Sequence, residues 1–176
     1  MNSPLRRPLA ALFAATALAA TLPAQVIKPA TSAGRQVDTK AERTQLEIVK
    51  LLNDFMEHVD ESAMHDRFWA EDLIYTGSAG TVQSKADIMK SVRESEKKAA
   101  DGATGNTVIR RETYLALDPV VRLYGDTIAA LTFRLVRHAS DGKTIYYRNS
   151  GLLILRSGKW QVATWQATKI LDDPAK

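Results

Sequence analysis

The 176-residue chain contains no cysteine, and this absence removes several kinds of site at once. Disulfide bonds, thiol nucleophiles, zinc sites built on thiolates and the cysteine anchor of lipoproteins are all excluded. The composition fits an exported protein that needs no covalent cross-links, although many cytoplasmic proteins also lack cysteine.

Motifs for metal ions and phosphate groups are also lacking. The three histidines, His58, His65 and His138, form neither a His-x-His nor a His-Glu-x-x-His spacing. The glycines at residues 77–80 lack the Lys-Ser/Thr pair of a phosphate-binding loop, and no serine lies in a nucleophile-elbow context. We therefore expect no metal ion and no cofactor.

A strong excess of positive charge is missing as well. The formal net charge is +4, but residues 1–24 contribute Arg6 and Arg7 and no acidic residue. Without this segment, 22 basic residues stand against 20 acidic ones. Because a nucleic-acid-binding domain needs a clustered basic face, this balance predicts no nucleic-acid partner.

Residues 1–24 have the pattern of a secretory signal peptide. Two arginines are followed by an alanine-rich apolar run, and small residues permit cleavage after Ala19 or Ala24. A membrane anchor is the alternative, but the run is shorter than the roughly 20 apolar residues that span a bilayer. We therefore predict export to the periplasm or the medium, no membrane association after cleavage, and a flexible tail at residues 25–38.

Three long strands follow one another in the last third of the chain. Residues 127–138, 144–155 and 160–170 are rich in the β-branched and aromatic residues that favour strands. An Asp-Gly pair and a Ser-Gly pair separate them, and glycine supplies the positive φ that tight hairpin turns need. This pattern predicts an antiparallel meander.

Three helices are predicted upstream of the meander, at residues 39–59, 60–69 and 84–98. Thr39 and Glu42 have the spacing of a capping box at the start of the first helix. That helix carries an apolar stripe, which needs a partner surface such as the sheet. A short strand is predicted at residues 73–76, and a longer one begins at residue 107.

Several short motifs accompany this order of elements: Phe68-Trp-Ala-Glu-Asp72, Ser84-Lys-Ala-Asp87, Gly125-Asp-Thr-Ile-Ala129, Gly158-Lys-Trp-Gln-Val162 and Gln166-Ala-Thr168. Together they resemble the nuclear-transport-factor-2-like superfamily, which includes ketosteroid isomerase and polyketide-cyclase-like (SnoaL-like) proteins. The resemblance is closest to a bacterial family called domain of unknown function 4440.

The resemblance implies an α+β fold for a single domain at residues 39–172. In this fold three N-terminal helices cover a cone-shaped, strongly curved and mostly antiparallel sheet, and a pocket lies between them. The resemblance also implies a homodimer that forms through the sheet. Because one fold serves many functions, the activity must be argued from the site itself.

The acid–base residues of ketosteroid isomerase are not matched in this chain. Its reaction needs a carboxylate base, and a tyrosine and a protonated acid that hold the enolate oxygen. By the resemblance, these roles fall at Gly77, near Asn53, and near Ser150 or Gly151. None of these side chains performs them, so the catalytic residues are unknown and it stays open whether the chain is an enzyme.

The meander carries most of the predicted ligand-binding residues. A two-residue turn at Asp141-Gly142 predicts that Arg134 pairs with Asn149. One face then mixes polar and aromatic groups, as a pocket wall does: Thr132, Arg134, Val136, His138, Tyr147, Asn149 and, on the last strand, Trp165. The other face is assigned to the core or a dimer contact: Leu131, Phe133, Leu135, Tyr146, Arg148, Trp160 and Val162. In the alternative assignment, the polar face is exposed to solvent.

The leading hypothesis is an exported protein that binds a small hydrophobic or mixed-polarity ligand. Aromatic contact area is predicted from Trp69, Tyr75, Tyr147 and Trp165, and polar orientation from Arg134, His138 and Asn149. For Trp69 and Tyr75, a role as core aromatics is the alternative. Two other functions stay open: an isomerase, dehydratase or cyclase with His138 or Asp72 as its base, and a dimeric module whose exposed sheet binds a protein.

Overall fold

The computed structural model describes residues 39–102 and 112–171. The predicted signal peptide, the predicted tail at residues 25–38 and the start of the strand predicted from residue 107 lie outside the described residues. No helix within the two described ranges combines the length and hydrophobicity needed to cross a membrane.

Helices cover one side of a mixed sheet. The helices are α1 (Lys40–Glu57), α2 (Ser62–Phe68) and α3 (Lys85–Gly102). The strands are β1 (Trp69–Thr76), β2 (Val82–Gln83), β3 (Thr113–Tyr124), β4 (Ile128–His138), β5 (Thr144–Arg156) and β6 (Lys159–Lys169). The sheet order is β2-β1-β6-β5-β4-β3, with every neighbouring pair antiparallel except β1 and β6, which are parallel. The predicted α+β class and mostly antiparallel sheet are confirmed.

Helix α1 begins at the predicted capping box. The Thr39 hydroxyl accepts a hydrogen bond from the Glu42 N–H at 3.1 Å, and the Glu42 carboxylate accepts one from the Thr39 N–H at 3.2 Å. The pair satisfies two amides that have no partner inside the helix. The apolar stripe of α1, which includes Ile48, Leu52 and Phe55, is buried in the core against the sheet.

The hairpin between β4 and β5 differs from the prediction by one residue. The Ala139 N–H donates to the Lys143 carbonyl oxygen at 2.8 Å, and Gly142 has φ 86°. The loop therefore has three residues and ends in a left-handed glycine, whereas a two-residue turn was predicted. As a result Arg134 pairs with Arg148, and the predicted pairing of Arg134 with Asn149 is wrong.

This shift moves every β5 side chain to the side of the sheet opposite to the predicted one. The helix-facing side combines residues assigned to different faces in the sequence: Leu131, Phe133, Leu135, Tyr147, Asn149 and Trp165. The other side, here called the outer side, carries Thr132, Arg134, Val136, His138, Tyr146 and Arg148. The predicted pocket face is therefore wrong as a unit, since its β4 residues face outward and its β5 and β6 residues face the helices.

Candidate functional site

An aromatic cluster lies between the helices and the sheet. Phe55 stacks on Phe68 with ring centroids 4.0 Å apart, and Trp69 meets Trp165 edge to face at 5.4 Å. Tyr75 packs edge to face on Trp69 at 5.8 Å. Stacked and edge-to-face contacts are the favourable arrangements of aromatic pairs, so each ring is fixed by its neighbours.

A cavity of about 190 Å³ opens beside this cluster. Its walls are Phe55, Val59, His65, Trp69, Tyr75, Gln83, Ile88 and Trp165. The structure thus brings together three residues named from the sequence, Trp69, Tyr75 and Trp165. Trp69 is 2% exposed and Trp165 is 5% exposed, so both rings belong to the core and to the cavity wall.

His65 fixes the indole ring of Trp69 from the side of α2. The Trp69 Nε1–H donates to His65 Nδ1 at 2.9 Å, and His65 Nε2 lies 2.8 Å from the Val59 carbonyl oxygen. Because Nδ1 accepts, Nε2 carries the proton and the ring is neutral. Burial lowers the pKa of His65 below its usual 6.5. Sequence reasoning missed this residue, although its spacing of four from Trp69 could have indicated the contact.

Asn149 places an amide deep in the helix-facing side of the sheet. The residue is 3% exposed and lies between Phe133 on β4 and Ala167 on β6. Neither its Oδ1 nor its Nδ2 has a hydrogen-bond partner among residues 39–102 and 112–171. A buried polar group without a partner costs about 1–3 kcal/mol, so nearly all such groups in folded proteins are paired. An exception of this kind is typical of a functional site.

A polar network continues along the same side towards the ends of β3 and β4. Arg137 binds Glu112 through both Nη2 and Nε, the latter at 3.0 Å, and the Tyr114 hydroxyl donates to Glu112 at 2.7 Å. Glu112 first, and the nearby Tyr147 hydroxyl to a smaller extent, raise the pKa of Arg137, so the guanidinium stays charged. Burial and the neighbouring Glu112 raise the pKa of Tyr114 to about 12, while the Arg137 guanidinium lowers the pKa of Glu112. The network is therefore an ion pair joined to neutral phenols.

Two predicted polar residues, Arg134 and His138, do not reach this space. Both lie on the outer side, where Arg134 Nη2 is 3.5 Å from Asp118 Oδ2 and His138 Nδ1 is 3.0 Å from the Thr144 hydroxyl. The prediction that they share a pocket face with Tyr147 is wrong, because the three-residue loop shifts the register.

The substitute base Asp72 also lies away from the cavity. Its two carboxylate oxygens each accept a hydrogen bond from Arg156 at 2.7 Å, and its side chain is 57% exposed. This pairing lowers the pKa of Asp72. His138 is exposed as well, so neither of the bases named for an enzyme stands where a bound substrate would meet it.

Solved structures share the architecture described above. A nuclear-transport-factor-2-like protein from Cytophaga hutchinsonii superposes with a TM-score of 0.55 at 14% identity, over 75% of this chain and 100% of that one. This chain has the nuclear-transport-factor-2-like fold. A second protein with this fold, from Rhodospirillum rubrum and described as of unknown function in nutrient uptake, matches with a TM-score of 0.55 at 18% identity, over 72% of this chain and 98% of its own.

A third similar structure is the association domain of CaMKII from C. elegans. It matches with a TM-score of 0.55 at 11% identity, over 72% of this chain and 96% of its own. No family model and no curated protein sequence matches the chain. The fold that the resemblance implies is confirmed, and the narrower placement in domain of unknown function 4440 stays a prediction.

The space between the helices and the sheet presents ring faces and neutral hydrogen-bonding groups. Within the described ranges, no three His, Asp or Glu side chains converge so that they could hold a metal ion. The cavity instead offers aromatic surface, and Tyr147 and Asn149 follow each other on the same side of β5. A flat apolar group with one polar end matches this arrangement.

Proposed function

We propose that the domain binds a small, uncharged ligand of mixed polarity between its helices and the helix-facing side of the sheet. The observation that carries this proposal is the Asn149 amide, which is buried on the helix-facing side of the sheet, the side that also carries Trp165 of the cavity wall. The amide has no hydrogen-bond partner among the described residues. A ligand that supplies the missing hydrogen bonds recovers the free energy that folding loses there.

The cavity has room for one ring of the ligand. Apolar cavities of about 150 Å³ take up benzene, and the space beside Trp69 and Trp165 measures about 190 Å³. Phe133 lies beside Trp165, with ring centroids 5.4 Å apart, and it also faces Asn149 across the strands. Because the Asn149 amide has no exposed surface, binding must move one of these rings towards another rotamer.

A charge on the ligand is disfavoured, because the groups around this space are neutral or already paired. His65 is held as a neutral ring, and Arg137 is neutralised by Glu112. A buried ionised ligand would lose its hydration and find no free counter-ion among these groups. The polar end of the ligand is therefore a carbonyl, amide or hydroxyl group.

A thermal-shift and NMR panel tests this proposal. Phenols, cyclic ketones and aromatic amides are compared with carboxylates of the same size, and the neutral compounds are expected to raise the melting temperature. Tyr147→Phe removes one neutral hydrogen bond and is expected to weaken binding about three- to tenfold. The matched control is Tyr146→Phe on the outer side, which is expected to bind normally. No stabilising compound in the panel, or equal losses in both variants, would refute the proposal.

We further propose that the protein is a homodimer that forms through the outer side of the sheet. Large apolar side chains are exposed there, including Ile74 at 56% and Val120 at 46%. Sedimentation is expected to give twice the monomer mass, and Ile74→Lys is expected to give monomers. Leu46→Lys on α1, where the leucine is 54% exposed, serves as the control that keeps the dimer. A wild-type monomer at micromolar concentration would contradict this proposal.

Export through a signal peptide is also proposed, on the charge, apolar run and small residues of residues 1–24. Fractionation of cells that express the full chain is expected to find it outside the cytoplasm. Mass spectrometry of that material is expected to give a mature N-terminus at Ala20 or Gln25. An intact N-terminus on a cytoplasmic protein would rule this out.

A further inference from the structure

The cavity beneath the helices has a second amide on its wall, at the end away from Asn149. Gln83 on β2 is half-buried and lines the cavity beside Tyr75. The preceding residue, Val82, lies outside the cavity wall and is 64% exposed. Side chains alternate along a strand, and a strand that only covered the core would turn its valine inward and its glutamine outward. Strand β2 does the reverse, which favours a role for the Gln83 amide inside the cavity.

The Gln83 amide is free to bind a ligand, whereas two other polar side chains of the wall are already engaged. The Trp69 indole N–H and both ring nitrogens of His65 take part in hydrogen bonds. The Gln83 amide has no hydrogen-bond partner in the part of the chain that the structure describes. An amide offers two donors and an acceptor, and it stays neutral at every ordinary pH.

The pairing of the strands fixes the distance between Gln83 and Asn149. A row of paired residues crosses the helix-facing side from β2 to β5: Gln83, Tyr75, Trp165 and Gly151. Asn149 lies on the same side, two residues before Gly151. Neighbouring strands are about 4.8 Å apart, so about 14 Å separates the two amides across the strands. Hydrogen bonds of about 2.9 Å at both ends leave about 8 Å between the polar atoms of a ligand.

We propose that Gln83 selects ligands that carry two neutral polar groups at opposite ends of a ring, the first bound by the Asn149 amide and the second by the Gln83 amide. This role rests on the proposed cavity ligand and specifies its second polar group. The ring lies between the two amides, against Trp69 and Trp165. A phenol with an amide arm at the para position has this chemistry. Its ortho isomer places both groups at one end and leaves one of the protein amides without a partner.

Calorimetric titration tests the proposal with 4-hydroxyphenylacetamide, its 2-hydroxy isomer and 4-methylphenol, which lacks the amide. The para compound is expected to bind about three- to tenfold more tightly than either of the others, as for one additional neutral hydrogen bond. Gln83→Met keeps the length of the side chain and removes its amide. This variant is expected to bind the para compound within about twofold of 4-methylphenol, and to bind 4-methylphenol as the wild type does.

Two further variants serve as controls. Thr81 is exposed on the same hairpin and lies outside the cavity wall, so Thr81→Val is expected to keep the preference for the para compound. Tyr75 carries another hydroxyl on the wall, directly across the strands from Gln83. Tyr75→Phe is expected to change the affinity for all three compounds by a similar factor and to keep the preference.

The possible failures are distinguishable. If the wild type binds all three compounds equally well, Gln83 reads no second group, and the cavity ligand stands without it. A preference that survives in Gln83→Met, or that disappears in Tyr75→Phe, would also overturn the role of Gln83. If none of the compounds binds to the wild type, the cavity ligand itself is refuted and the role of Gln83 with it.

Discussion

The buried Asn149 amide lowers the free energy of unfolding at a position where an apolar residue would fit. Asn149→Leu removes two unpaired polar atoms and keeps a similar volume, so we expect the free energy of unfolding to rise by about 1–2 kcal/mol. Ligand binding in the cavity is expected to be lost in the same variant. Urea denaturation measures the first effect, and the compound panel measures the second.

The control for this variant is Asn53→Leu, because Asn53 is exposed on α1. Its effect on stability is expected to stay within about 0.5 kcal/mol. A less stable Asn149→Leu protein would mean that the amide has hydrogen-bond partners in solution. In that case the amide would not need a ligand.

His65 makes stability depend on pH in a defined direction. Burial lowers its pKa in the folded protein, so between that value and 6.5 the unfolded chain binds more protons. We therefore expect the melting temperature to fall as the pH drops below 6.5. Protonation also removes the acceptor for the Trp69 indole, so tryptophan fluorescence is expected to change over the same range.

A comparison of variants isolates this effect from other titrating groups. The exposed His58 acts in the opposite direction, because its hydrogen bond to the Asp54 carbonyl raises its pKa. His65→Gln is expected to flatten the pH dependence below 6.5, whereas His138→Gln, at an exposed position, is expected to keep it. If both variants keep the wild-type slope, the assignment to His65 is incorrect.

At the level of elements, the sequence predicted where strands lie better than how they pair. The strand predicted at residues 127–138 is Ile128–His138 in the structure, because β-branched and aromatic residues mark its extent. The Ser157-Gly158 turn also forms as expected, with both residues at positive φ. The Asp141-Gly142 turn does not, because the same dipeptide fits a two-residue or a three-residue loop. One hydrogen bond, from Ala139 to Lys143, decides between them and reverses the sides of β5.

Gly151 allows β5 and β6 to approach each other beside the cavity. A Cβ atom at this position would lie 2.9 Å from Trp165 Cε3 and 3.1 Å from the Thr164 carbonyl oxygen. We expect Gly151→Ala to lower the free energy of unfolding by about 1–3 kcal/mol, because the Trp165 ring must move. Near-ultraviolet circular dichroism of the tryptophans is expected to change with it.

Gly77→Ala is the matched control for this contact. A Cβ atom there would meet only Tyr75 at 3.6 Å and the Thr81 carbonyl oxygen at 3.7 Å, which are ordinary contact distances. Its effect is expected to stay within about 1 kcal/mol. Comparable destabilisation by both changes would show that the tight approach at Trp165 is not the cause.

For the whole molecule, the fold could be predicted from the sequence and the site only in part. Capping residues, apolar stripes and strand composition are local, so they identified the elements and their order. The aromatic residues of the site, Trp69, Tyr75 and Trp165, could be grouped from the sequence. Large aromatic side chains that are buried lie together in the core, whichever way the strands pair. The polar residues of the site could not be placed from the sequence. The side of the sheet on which each of them lies depends on the register of its strand.

We expect residues 39–172 to fold on their own. Among the described residues, the buried cluster runs from Ile48 on α1 to Trp165 on β6. A fragment of residues 39–172 is expected to have a melting temperature within about 3 °C of that of the full chain. A fragment that begins at residue 59 lacks Ile48, Leu52 and Phe55 and is expected to stay unfolded by circular dichroism. A folded shorter fragment would show that α1 is dispensable.

The parallel pairing of β1 with β6 limits how early the sheet of this protein can be completed. Arg67, just before β1, donates at 2.7 Å to the carbonyl oxygen of Trp160, 93 residues later. β1 cannot pair with its central neighbour until β6 is available, and such distant pairing is slow. A premature stop codon before residue 165 removes the β6 residues that pair with Tyr75 and Thr76 of β1. The truncated product therefore cannot complete its sheet and is expected to be degraded.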